Sequence, residues 1–126
     1  MTLVLDSGGL IAFERGDREV AALVEAARRR REKVVTSSGC VAQVWRRGGS
    51  GQALLARLLR GTDERPLDHH VSRAVGELCA GSASSDVVDA HVALLAQDHD
   101  VVVTSDADEL ESLLTAARSS ARVRRC

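Results

Sequence analysis

Short, uninterrupted apolar runs alternate along the chain with longer stretches in which apolar residues recur every three or four positions. Thr2 to Asp6, Val34-Val35-Thr36 and Val101 to Thr104 belong to the first kind. They are too short for helices and lack polar alternation, so they read as strands buried on both faces. Between them, Val20, Leu23, Val24 and Ala27 form one helical stripe behind Asp17, a good N-cap. Further helices are predicted over Leu10 to Arg15, from Ser37 or Ser38 to about Arg47, Gln52 to Arg60, His69 to Ala80, Asp86 to Gln97, and about Glu109 to Ala117. Weaker strand signals fall around Arg65-Pro66-Leu67 and Arg122-Val123, and Gly81 to Ser84 reads as a loop. Short strands separated by helices predict an α/β fold with a mainly parallel sheet.

Two of these helices carry chemistry on a polar side. On the helix after Ser38, Cys40, Val41, Val44 and Trp45 share the apolar side, and Gln43, Arg46 and Arg47 the polar one. On the helix from Asp86, an apolar face is predicted for Val87, Val88, His91, Val92, Leu94 and Leu95. Asp86, Asp89, Ala93 and Gln97 fall opposite, so the two acids are i, i+3 neighbours. His91, inside the apolar face, reads as a hydrogen-bonded core residue more readily than as a base.

Length and composition narrow the class. A chain of 126 residues suits one domain spanning 1–126, and no apolar run approaches the roughly 20 residues that cross a bilayer. No membrane association and no export signal are expected. Cys40, Cys79 and Cys126 are too scattered for a disulfide framework or a zinc site, which suits a reducing cytoplasm. Lys33 is the only lysine among 17 basic residues, an arginine bias expected of a GC-rich bacterial genome. Net charge is −1, yet arginines crowd Arg28 to Arg31, Arg46-Arg47 and Arg122 to Arg125, while aspartates gather between Asp86 and Asp108. An acidic centre inside a basic surround suits a polyanion that must reach a cation. Solvated helix ends would produce the same clusters one at a time.

Acids placed at strand ends carry the sharper signal. Parallel sheets bind ligands beyond the carboxyl ends of their strands, and Asp6 and Asp106 each follow a strand's last apolar residues. Asp86 and Asp89 open a helix that can lie at the same edge. Two unit charges 4 Å apart repel by about 4 kcal/mol at an effective dielectric near 20. A cluster of such groups must therefore take up protons or a cation. Aspartate oxygens without a Cys or His pair favour a hard ion, Mg2+ or Mn2+. Each acid also has an ordinary alternative, as a turn former or helix cap, Asp108 among them.

The segments Leu3 to Ser7, Val41 to Arg46, Asp86 to Ala90 and Val103 to Asp108 resemble, in order, the successive motifs of the PIN-domain family, which includes the VapC-like toxin ribonucleases. The resemblance implies a three-layer α/β/α sandwich and a Mg2+- or Mn2+-dependent endoribonuclease. It makes Asp6, Asp89 and Asp106 the catalytic, metal-binding acids, with Asp86 and Asp108 auxiliary ligands. It also implies a cognate antitoxin and a homodimer. Gln43 departs from the pattern, because the family places a glutamate there. A carboxamide still offers a carbonyl oxygen but no charge, which weakens metal binding and leaves open a catalytically weakened or inactive RNA- or protein-binding module.

In an active pocket the metal would sit among Asp6, Asp89 and Asp106, acidify a water and neutralise charge on the phosphate. Ser7, Thr104 and Ser105 would orient the acids, and Arg46 and Arg47 would grip flanking phosphates. Other classes fit less well. No G-x-x-x-x-G-K-[ST] or G-x-G-x-x-G occurs. A phosphoacceptor receiver domain would need a lysine after a late strand, and Lys33 falls early. A haloacid-dehalogenase phosphatase would need a second Asp where Ser7-Gly8 stands.

Overall fold

The computed structural model describes residues 1–126. Strands β1 (Leu3–Leu5), β2 (Val34–Ser37), β3 (Asp63–Arg65), β4 (Val101–Thr104) and β5 (Arg122–Arg125) form one sheet in the order β3-β2-β1-β4-β5, every pair parallel. Helices α1 (Ser7–Glu14), α2 (Arg18–Arg29), α3 (Ser38–Val44) and α4 (Ser50–Arg60) connect the first three strands. Helices α5 (His69–Ala80), α6 (Val87–Leu95) and α7 (Ala107–Ala116) follow. Because α2, α3 and α4 pack with α1 while α5, α6 and α7 pack with one another, the sheet lies in a three-layer α/β/α sandwich.

Burial explains why the central strands read as pure apolar runs. Leu3, Val4 and Leu5 are at most 2% exposed, since helices cover both faces of β1. Each such side chain contributes roughly 1.5–3 kcal/mol by leaving water. The outer strands differ. β5, Arg-Val-Arg-Arg, holds its place through backbone pairing to β4 and pairs Arg125 with Asp108 at 3.0 Å. Charged side chains on an edge strand also discourage pairing with another chain. β3 lies earlier than its predicted position, ending at Arg65, because Pro66 has no N–H for a ladder.

Helix boundaries shift toward the acids. α1 begins at Ser7 rather than Leu10, because the Asp6 carboxylate accepts from Gly9 N at 2.9 Å and caps the helix directly. α7 likewise begins at Ala107, capped by Asp106, so Asp108 is not its cap. α3 stops at Val44, short of Arg47, where Trp45 turns extended and Gly48 and Gly49 adopt φ of +83° and +97°. That early stop leaves Trp45 45% exposed instead of on an apolar face.

The predicted faces of α6 also need correction. Ala90, His91, Val92 and Ala93 are all buried, whereas Val87 and Leu94 are exposed. The sheet, α5 and α7 bracket this helix on several sides, so a two-faced pattern does not describe it. No helix is long and apolar enough to cross a membrane.

Candidate functional site

The chain lays down β1, β2 and β3 in one direction, then returns to add β4 on the other side of β1. The carboxyl edge between β1 and β4 is therefore the switch point at which open α/β sheets bind ligands. Asp6 follows β1 immediately, and its backbone N–H reaches Val103 O at 3.2 Å. Asp106 lies just beyond β4, and its N–H bonds Thr104 Oγ1 at 2.9 Å. The loops bearing the two acids touch directly. A Cβ on Gly8 would come within 2.7 Å of Ser105 N, so the first turn of α1 and the turn after β4 approach this closely only with glycine there.

Asp86 and Asp89 arrive from α6. Asp86 caps that helix, accepting from Asp89 N at 2.9 Å. Burial, followed by the charges of Asp86, Asp6, Glu109 and Asp106, pushes the Asp89 carboxyl up to about 7. Four other carboxylates thus act on Asp89: Asp86 from the cap of its own helix, Asp6 from the end of β1, and Asp106 and Glu109 from the start of α7. Asp6, 4% exposed, is also raised, chiefly by burial and lastly by Asp106, against hydrogen bonds from Thr104, Gly9 and Gly8. Thr104 thus hydrogen-bonds both acid-bearing loops.

Gln43 stands beside these acids. Its carbonyl oxygen accepts from the Ser7 hydroxyl, next to Asp6. Asp108 takes a different position, bonded to Arg125 and absent from the charges acting on Asp89. Arg46 turns back on its own helix, its guanidinium donating to Trp45 O at 2.7 Å and Ala42 O at 3.4 Å. Arg47 is exposed in the following loop, and neither arginine forms an ion pair. Ser105 is exposed at the turn after β4.

Glu109 escaped the sequence reading. It accepts a hydrogen bond from Ser84, whose hydroxyl oxygen in turn takes the Asp86 N–H at 3.1 Å. Ser84 therefore ties the loop before α6 to the first turn of α7. The signal was present as Asp106-Ala107-Asp108-Glu109, the spacing of a capping box, which puts Glu109 one turn in from Asp106.

As the side chains stand, no three His, Cys, Asp or Glu residues are grouped closely enough to hold a metal ion. The donor chemistry still suits Mg2+, which is usually bound by one or two carboxylates and keeps several waters. Asp86 and Asp106 each spend only Oδ1 on a helix cap, leaving Oδ2 for another partner, whereas the Asp6 carboxyl is engaged by Thr104 as well as by its cap. Cysteine chemistry does not compete, because burial pushes the Cys40 thiol up to about 11. The basic run Arg28 to Arg31 ends α2, where Arg28 Nη2 donates to Leu58 O at 3.0 Å and bridges to α4.

Fold and site together define an α/β protein with a parallel five-stranded sheet and an acidic cluster at its switch point. No family model and no curated protein matches the sequence.

Proposed function

We propose that the protein is a Mg2+- or Mn2+-dependent endoribonuclease of the PIN-domain type, acting as the toxin of a toxin–antitoxin pair. The observation that carries this reading is the placement of Asp6 and Asp106 at the adjoining ends of β1 and β4, with the Asp89 carboxyl raised by burial and then by the charges of Asp86, Asp6, Glu109 and Asp106. Carboxylates so arranged favour a proton or a cation, and an all-oxygen set selects a hard cation. Asp6, Asp89 and Asp106 would hold the ion, with Asp86 and Glu109 close by. The bound ion would supply an acidified water and charge neutralisation at the phosphodiester. Thr104 hydrogen-bonds the Asp6 carboxyl, and the Ser7 hydroxyl next to it donates to Gln43. Arg47, exposed and without an ion pair, is free to meet a phosphate. A cytoplasmic setting, a cognate antitoxin and a homodimer belong to the same reading by resemblance.

Gln43 favours a second reading. A neutral carboxamide already engaged by Ser7 brings no charge to the pocket, as a binding module that has lost catalysis would have it. Single-stranded RNA incubated with Mn2+ separates the two. Cleavage should stop with EDTA and with Asp6→Asn, which retains a capping side chain and therefore the fold. Equal cleavage by parent and variant would refute the nuclease reading.

A further inference from the structure

β5 is the run Arg-Val-Arg-Arg, and strand alternation sends the two arginines at its carboxyl end to opposite faces of the sheet. Arg124 reaches α2, 3.7 Å from Glu19. Arg125 reaches α7, 3.0 Å from Asp108. Of the two, only Arg125 meets a helix of the acidic site, because α7 is the helix that Asp106 caps.

Register brings Arg125 closer still. It lies beside Thr104, and the next residue, Cys126, donates its N–H to Thr104 O at 3.0 Å. Residues side by side on neighbouring strands point to one face of the sheet. On that face the Thr104 hydroxyl hydrogen-bonds both the Asp6 carboxyl and the Asp106 N–H. Arg125, Thr104 and Asp6 thus form a row across the carboxyl ends of β5, β4 and β1. Two strand spacings, about 10 Å, separate its ends, and an arginine side chain spans much of that gap.

The present partner of Arg125 holds it weakly. The Arg125 and Asp108 side chains are 68% and 88% exposed, and ion pairs so open to water contribute little. A phosphate offers a guanidinium two acceptors at once and displaces such a carboxylate readily. Other arginines are worse placed. Arg46 spends its guanidinium on the Trp45 and Ala42 carbonyls, and Arg122 starts β5 at the opposite edge of the sheet.

We propose that Arg125 grips the RNA backbone at the acidic site, leaving Asp108 to take a phosphate beside the scissile one. The assignment rests on the nuclease reading of that site, and it makes Asp108 a resting partner for Arg125 instead of a metal ligand. A phosphate contact positions a strand without reading its bases, so oligo-U and oligo-A are held alike.

Fluorescein-labelled oligo-U and oligo-A RNA, titrated into the full chain in EDTA and followed by anisotropy, measure binding apart from cleavage. Arg125→Gln should weaken both RNAs roughly fivefold and lower the slope of log Kd against log salt by about 0.7, one phosphate contact on a single strand. Arg122→Gln removes the same charge from the same strand and should change Kd by no more than about twofold, the reach of net charge alone. Asp108→Asn frees Arg125 and should tighten binding, an effect that should vanish in the Arg125→Gln background. Equal losses from Arg125→Gln and Arg122→Gln would mean general attraction only, overturning the proposal while leaving the nuclease reading intact. An Asp108→Asn gain that survives without Arg125 would overturn it too. A parent that binds neither RNA would overturn it together with the RNA reading of the site.

Discussion

Replacing Asp89 by asparagine removes the carboxyl on which the other acids converge. Its pKa rises from an ordinary 3.8 to about 7, through burial first and then the charges of Asp86, Asp6, Glu109 and Asp106. Between those two values the folded protein holds a proton that the unfolded chain has lost. Stability therefore falls as pH rises through the window, the reverse of a salt-bridged carboxylate. Each pH unit is worth up to about 1.4 kcal/mol, a ceiling of about 4 kcal/mol over the whole window. Asp89 is only half-buried, and solvent screens it, so a realistic loss is on the order of 1–2 kcal/mol. The neutral carboxamide of the variant carries no such loss. Parent and Asp89→Asn should melt together near pH 4, and the variant should melt about 3–6 °C higher at pH 8. Taking the difference between the two proteins cancels the other acids that titrate in the same range. Millimolar Mn2+ at pH 8 should raise the parent's Tm and close the gap, because the ion replaces the proton. A variant no more stable than the parent at pH 8 would refute the convergence of charge on Asp89. A gap that Mn2+ leaves open would refute the metal.

Other outcomes follow from the same geometry. Gln43→Glu puts a charge beside Ser7 at nearly constant volume, and should tighten Mn2+ binding roughly tenfold by calorimetry. Unchanged affinity would put residue 43 outside the metal's reach. Gly8→Ala drives a Cβ to within 2.7 Å of Ser105 N, a backbone atom that cannot rotate away. It should cost about 1–3 kcal/mol in urea unfolding and part the Asp6 and Asp106 loops, so a neutral result would mean those loops are not held together there.

The pattern of residues determined the α/β alternation and, with it, much of the site's placement. Val101 to Thr104 and His69 to Ala80 are observed where they were predicted, because a doubly covered strand must be apolar throughout and a long helix carries its own periodicity. Asp6 and Asp106 could be put at one sheet edge from their positions after strands. The sequence also carries the Asp106 to Glu109 capping spacing, a purely local signal.

Tertiary structure alone decided the rest. Strand order brought β4 beside β1, and only that adjacency makes Asp6 and Asp106 neighbours. The Ser84 hydroxyl joins Glu109 to the α6 loop across a separation that no local period encodes. Neighbouring helices buried Ala93 and left Leu94 outside, because α6 is bracketed by more than one layer. Asp108 was drawn to Arg125 by the pairing of β5 with β4. Strand pairing and side-chain burial are non-local, and so are the electrostatics they create. A carboxylate's position along the chain shows that it can join a cluster; its neighbours in space determine whether it does.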